Sequence, residues 1–298
     1  MRVTRLSWIV PALAVSGCAT TYNAKWDEKP VAAAAAAAPT EVDATKALQE
    51  KADGLWAKRN DKASLVAAIA AYEELAAKAP SADLFAKLSR AHYLLGDGHY
   101  ALEGKAAERD AEYQLGLDWA TKSLKAAAPA FAEAMAAGKK HGEAIQLAGK
   151  EAVPGMYWYA TNLGKWAASK GFATRLRYKD DAKSTMDRVT ELDPSFFYSA
   201  PLRYFGSFQA LTAGIAGGSL VKSEEFFTQA ETAAPNYLGT KVLWADYLAT
   251  KKNDRATFEK KLNEVLAADA SVDPEIAPEN LMEQAKAKKL LAEVEEKF

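Results

Sequence analysis

A thiol that can be acylated stands near the start of the chain. Cys18, the single cysteine, ends the run Leu13-Ala14-Val15-Ser16-Gly17-Cys18. Arg2 and Arg5 form a positive n-region, residues 6–15 an apolar stretch, and Ser16 and Gly17 the small side chains that a signal peptidase needs beside its cut. This arrangement predicts removal of residues 1–17, lipidation of Cys18 and export of everything after it. The apolar run is interrupted by Pro11 and Ser16 and is shorter than the roughly 20 residues a membrane span requires. The mature chain is therefore expected to be tethered through acyl chains, more than one of which gives a stable anchor. Ala19, not Asp, follows the cysteine, the pattern of lipoproteins sent on to the outer membrane instead of held at the inner one. One cysteine permits no intrachain disulfide, although such a compartment would allow one.

Little else in the chain has the spacing of reactive chemistry. The three histidines are His92, His99 and His141. None stands at metal-ligand spacing from a second histidine or a cysteine, and His92 and His99 flank a Gly-Asp-Gly turn. There is no nucleophile elbow, phosphate loop or dinucleotide fingerprint. The carboxylate pairs Glu73-Glu74, Glu224-Glu225 and Glu295-Glu296 fall on solvated helix faces. The expectation is a binding protein with no catalytic residue, no metal and no cofactor. A net charge of −1 with intermingled signs gives no field for nucleic acid and no polybasic membrane patch.

The elements that must position any site are helices. Alanine-rich segments with apolar residues every three or four positions cover 46–59, 62–79, 82–95, 106–128, 154–169, 174–192, 223–233, 238–250, 255–268 and 278–298. Breakers separate them at Pro80, Gly96-Asp97-Gly98, Pro129, Gly138, Pro154, Gly171, Pro194, Gly217-Gly218, Pro235 and Pro274. No alternating β-branched run is long enough for a strand, so the fold class is all-α. Residues 18–40, with their alanine run between Pro30 and Pro39, read as a lipidated flexible tether, and residues 41–298 as one helical domain. Short turns between helices predict antiparallel hairpins, and a period supports them. Ala68, Tyr72, Leu75 and Pro80 recur at the same spacings as Ala182, Met186, Val189 and Pro194, and as Ser223, Phe227, Ala230 and Pro235. That pattern resembles the second helix of a degenerate tetratricopeptide repeat. Between Pro129 and Pro154 the pairing of hairpins is not defined by the pattern.

Two segments are richer in aromatics than a helical scaffold requires. Tyr157, Trp158 and Tyr159 open one helix, where Trp158, Asn162 and Lys165 or Trp166 share a face and Tyr159, Leu163 and Ala167 another. The second runs from Phe196 through Tyr198, Arg203, Tyr204 and Phe208 to the glycines at 214, 217 and 218. Large rings around small residues can line a pocket, with Arg203 placed to meet an anion or a backbone carbonyl. The candidate lining residues are Tyr157, Trp158, Asn162, Trp166, Tyr198, Arg203, Tyr204 and Phe208.

Several stretches together resemble the T-component of tripartite ATP-independent periplasmic (TRAP) transporters. They are residues 157–164, residues 201–206 with Gly217-Gly218, Tyr237-Leu238, Ala245-Asp246-Tyr247, and the ending from Glu279-Asn280-Leu281 through Leu290-Leu291 to Phe298. The resemblance implies a non-enzymatic periplasmic lipoprotein of helical, tetratricopeptide-like architecture that encloses a cavity or pore for apolar ligands. It also implies association with the periplasmic solute-binding protein of the transporter and formation of homo-oligomers. The rival expectation is an outer-membrane lipoprotein whose repeats scaffold envelope-protein assembly without a small ligand.

Overall fold

The computed structural model describes residues 19–28 and 39–298. Cys18 and the leader before it lie outside the described residues, as does the alanine run. Among the described residues the regular secondary structure is helical, apart from an isolated bridge between Ala213 and Gly218.

Helices α1 (Pro39–Trp56) and α2 (Lys62–Lys78) form the first pair, and α3 (Ala82–Leu94) packs on α4 (Ala106–Ala127). Short helices α5 (Pro129–Ala136) and α6 (His141–Ala144) lead to α7 (Val153–Ser169), which pairs with α8 (Phe172–Leu192). Next, α9 (Phe196–Thr212) pairs with α10 (Leu220–Ala233). The chain closes with α11 (Gly239–Leu243), α12 (Thr250–Lys252), α13 (Arg255–Ala267), α14 (Ala277–Ala292) and α15 (Val294–Lys297).

Local sequence sets the helix starts. The carboxylates of Asp61 and Asp254 and the hydroxyls of Ser81 and Ser219 each accept a backbone N–H three residues on, and such a cap contributes about 1 kcal/mol. Pro80, Pro194 and Pro235 follow the ends of α2, α8 and α10. The three in-phase residue sets are the buried faces of those helices: Ala68, Tyr72 and Leu75; Ala182, Met186 and Val189; Ser223, Phe227 and Ala230. Helices α4 and α7 approach closely because Gly116 leaves room for Asn162, whose amide would collide with a Cβ there at 2.5 Å.

Three features depart from the sequence reading. Gly96-Asp97-Gly98 does not break α3; the helix widens instead into a six-residue π-helical turn, Leu95–Tyr100. A second such turn, Trp244–Ala249, joins α11 to α12. Residues 196–212, read only as an aromatic segment, form α9, which begins with Phe197, Tyr198 and Ser199 at φ 45°, 58° and 56°. Pro201 then sits in the first right-handed turn, where its missing N–H costs nothing.

The stretch expected as a tether contains a second surprise. Residues 19–28 lie as a strap across α4, α7 and α8. The Thr20 amide donates to Thr174 Oγ1 at 2.9 Å and the Tyr22 amide to the Tyr178 hydroxyl at 2.7 Å. The Tyr22 hydroxyl meets Asp118 and Thr121, while its ring packs edge-on to Trp166. Trp26 seats against Phe131 and Tyr159. Of the residues read as a tether, 18 and 29–38 lie outside the described residues.

Residues 129–152 cap the far end of α8. Phe131 and Ile145 are fully buried, Arg188 donates twice to the Ala148 carbonyl, and His141 Nε2 meets Thr185 Oγ1 at 2.7 Å. His141 stacks on Tyr159, and burial pushes its pKa down from 6.5 to about 4. The unfolded chain therefore takes up this proton first, so stability falls as pH drops from 6.5 towards 4. The loss approaches about 3 kcal/mol. His92 acts in the opposite sense: burial disfavours its charge, but Glu112 and Glu73 outweigh burial and raise its pKa, so its contribution fades as pH rises through that raised value. In urea unfolding at pH 7 and pH 4.5, His141→Phe is expected to lose markedly less stability on acidification than the parent chain. An unchanged difference between the two pH values would contradict the assignment.

Candidate functional site

Helix α14 packs back against the first helices of the chain, and charged side chains hold it there. Met282 of α14 joins the apolar cluster of α2 and α3, and Gly98 admits it: a Cβ at that position would lie 2.6 Å from the Met282 sulfur. Glu279 of α14 is buried between Arg59 Nε at 2.8 Å and Arg90 Nη2 at 2.5 Å. Arg90 also lies over the rings of Phe197 and Trp56. Burial alone would raise the Glu279 carboxyl; Arg90 and Arg59 outweigh it and keep the group ionised. About two helical turns along α14 from Glu279, Asp97 of the first π turn accepts from Lys165 of α7 and Lys286 of α14, both at 2.6 Å, and from the Tyr113 hydroxyl at 3.0 Å. Burial again opposes the charge, and the two ammonium groups hold the Asp97 carboxyl far below the usual carboxylate range.

Beside these contacts lies a half-open pocket of about 500 Å³ lined by α7, α8, α9, α11, α14 and both π turns. At one end the rings of Tyr157, Trp158, Phe197 and Tyr237 form a connected layer, with Trp158–Phe197 and Phe197–Tyr237 centroids both 5.5 Å apart. The middle is lined by small residues of α7, Ala160, Gly164 and Ala167, facing Tyr204 and Phe208 of α9, which stack at 6.1 Å. At the other end stand Arg175, Lys179 and Lys289. The last two pair only with exposed neighbours, Asp180 and Glu293, so this end reaches water.

Five of the eight candidate residues line the cavity: Tyr157, Trp158, Arg203, Tyr204 and Phe208. Three do not. Asn162 is fully buried between α3, α4 and α7, where its amide donates to Ser89 Oγ and the Trp158 carbonyl. Trp166 faces the opposite way, towards Tyr22 and Tyr178 under the strap. Tyr198 projects outward and donates to Asp273 at 2.8 Å. Their common helix face divided because α7 is covered on two sides, by α3–α4 and by the cavity. Arg203 meets backbone carbonyls, not an anion: its guanidinium donates to the carbonyls of Phe197 and Tyr198 and lies 3.9 Å from the Tyr237 ring centroid. It thereby satisfies the carbonyls that the left-handed start of α9 leaves without helical partners.

The sequence reading missed Tyr93, Asp97, Tyr237, Met282 and Lys286, which come from elements far apart in the chain. Among the described residues no cluster of His, Cys, Asp or Glu could hold a metal ion. No described helix is long and apolar enough to cross a membrane.

The sequence profile of the TRAP transporter T-component family matches residues 62–298, a span that includes every wall of the cavity. The chain belongs to the TRAP transporter T-component family. Curated proteins yield no match to it. As a T-component it is an accessory protein of a TRAP transporter, acting on the periplasmic side. The matched span begins at α2, so the strap and α1 lie outside it.

Proposed function

We propose that this T-component holds an apolar small molecule in its central cavity while its outer surface docks the solute-binding protein of the transporter, with acylated Cys18 keeping it at the membrane. The observation that carries the reading is the composition of the 500 Å³ cavity: an aromatic layer and a wall of alanine and glycine, with Lys165, Lys286 and Arg203 engaged by partners in the protein. Ligand cavities of such size bury most of a small molecule in apolar lining and leave a few polar groups to orient it. The charged groups deeper in the wall are already engaged. Asp97 is paired with Lys165 and Lys286, Glu279 with Arg59 and Arg90, and Arg203 donates to backbone carbonyls. Their mutual pairing leaves the apolar surfaces to select the occupant.

Partner docking is supported by family membership. A titration with cis-parinaric acid, whose emission rises in an apolar site, should saturate at one equivalent per chain. Tyr204→Ala and Phe208→Ala each remove a ring from the half-buried wall and are expected to weaken binding about tenfold, or about 1.4 kcal/mol, with the unfolding midpoint little changed. Non-saturable uptake, or equal binding by both variants, would refute the ligand assignment. Trp158 is a poor probe because it is nearly fully buried between Tyr93 and Phe197, and its truncation would cost several kcal/mol of stability.

A further inference from the structure

The strap fixes where the chain leaves the lipid. Its first anchored group is the Thr20 amide on Thr174, in the first turn of α8, and Cys18 precedes Thr20 by two residues. Two residues span at most about 7 Å, so an acyl chain on Cys18 cannot hold the body away from the bilayer. The start of α8 must itself lie at the membrane surface.

That end of the molecule has the side chains for it. Phe172 and Leu176 of α8 are 63% and 49% exposed. Helices α8 and α9 are joined by the short turn at 193–195, Lys183 lies over the Phe205 ring, and Arg175 and Leu211 line the same pocket, so the chain after Thr212 returns to the start of α8 and brings Ile215 of the loop and Val221 in the first turn of α10, 60% and 68% exposed. Exposed Lys170 and Arg177 flank them, with Arg175 beside the cavity. Phe172 and Leu176 with Lys170 and Arg177 beside them suit an anionic lipid interface, where apolar side chains enter the headgroup layer and cations meet phosphates, while the carboxylates Glu224 and Glu225 beside Val221 mark the edge of the patch. Arg175, Lys179, Leu211 and Thr212, at this same end, also line the wet end of the cavity.

We propose that the α7–α8 turn, the 213–219 loop and the first turn of α10 seat on an anionic phospholipid surface, so that the cavity opens towards the bilayer and exchanges its apolar occupant with the lipid phase. The inference deepens the proposed function and rests on the acylation of Cys18 for its tether.

The test uses the full-length chain, processed in a bacterial host and reconstituted into phosphatidylethanolamine/phosphatidylglycerol vesicles doped with a headgroup-nitroxide lipid. A dye is placed on Leu176→Cys or, at the opposite end of α8, on Glu191→Cys. The two sites are roughly 22 Å apart along the helix, and quenching is expected to be about threefold or more stronger at 176. Equal quenching at both sites, or stronger quenching at 191, overturns the proposed seat. The mass of the N-terminal peptide reports separately on the anchor. If Cys18 is not acylated, the anchor reading fails, and the seat is read with the same two labels on the chain from Ala19, carrying an N-terminal histidine tag and captured on nickel-chelating lipid in otherwise identical vesicles. In that arm, loss of the 176-over-191 difference in Phe172→Ser/Ile215→Ser is the expected result; a difference that survives this double substitution overturns the assignment of those side chains to the interface.

Discussion

Glu279→Ala is expected to be the most damaging single substitution in the cavity wall, lowering stability by about 3–5 kcal/mol. Removing the carboxylate strands two buried guanidinium groups, Arg59 at 4% side-chain exposure and Arg90 at 16%, with no other carboxylate in contact. Both arginines also lie over the Trp56 ring and cannot swing out without exposing it. The effect should reach beyond global stability. Glu279 joins α14 to the first two helical pairs, so its loss loosens the packing of α14 along the cavity wall. Urea unfolding supplies the free energy, and hydrogen exchange should show α14 and the π turn at residues 95–100 losing protection first. Glu279→Gln, which keeps hydrogen-bonding capacity while removing the charge, should fall between. A loss below about 1 kcal/mol for Glu279→Ala would place the pair among ordinary surface ion pairs and contradict its structural role.

Gly164→Trp carries the largest expected effect on binding. Gly164 faces the cavity from the middle of α7, and a Cβ there meets no atom within 4 Å. A tryptophan can therefore be built without collision at its base, and its indole enters the space between α7 and the Tyr204–Phe208 stack. Replacing a mid-helix glycine also removes backbone freedom from the unfolded chain, a gain of roughly 0.5–1 kcal/mol. Binding of an apolar probe should fall by at least about tenfold, or about 1.4 kcal/mol, while the thermal midpoint stays level or rises. Retained binding in a stably folded Gly164→Trp chain would exclude this cavity as the site.

Much of this molecule is legible in its sequence because helices announce themselves locally. Spacing of apolar residues, Asp or Ser at helix starts and proline after helix ends predicted most of the helices, and the recurring small-large-apolar sets proved to be buried faces. The exceptions are instructive. Gly96-Asp97-Gly98 has the composition of a break, yet α14 packs so close that glycine is needed for contact, with Met282 as the neighbour. Helix α9 was masked because its first turn is left-handed and its stability depends on Arg203 reaching back to two carbonyls. The tether reading of residues 19–28 rested on their lack of periodicity. A strap needs none: Tyr22 and Trp26 are held by individual contacts with α4, α5, α7 and α8.

The site was legible in part. Residue type identified the aromatics, but only the packing of α7 decides that Trp158 faces the cavity while Trp166 faces the strap. The ionic network was hidden for a different reason. Asp97, Lys165 and Lys286 are separated by most of the domain, and each alone looks like an ordinary charged residue. Their pairing exists only once α14 has packed back against the first helices.

Native mass spectrometry of the protein gently extracted from its own envelope tests most directly whether the pocket holds an apolar molecule. One apolar small molecule per chain should co-purify with the parent protein and be absent from Gly164→Trp. Bare chain in both preparations, or the same adduct on both, would contradict the ligand assignment.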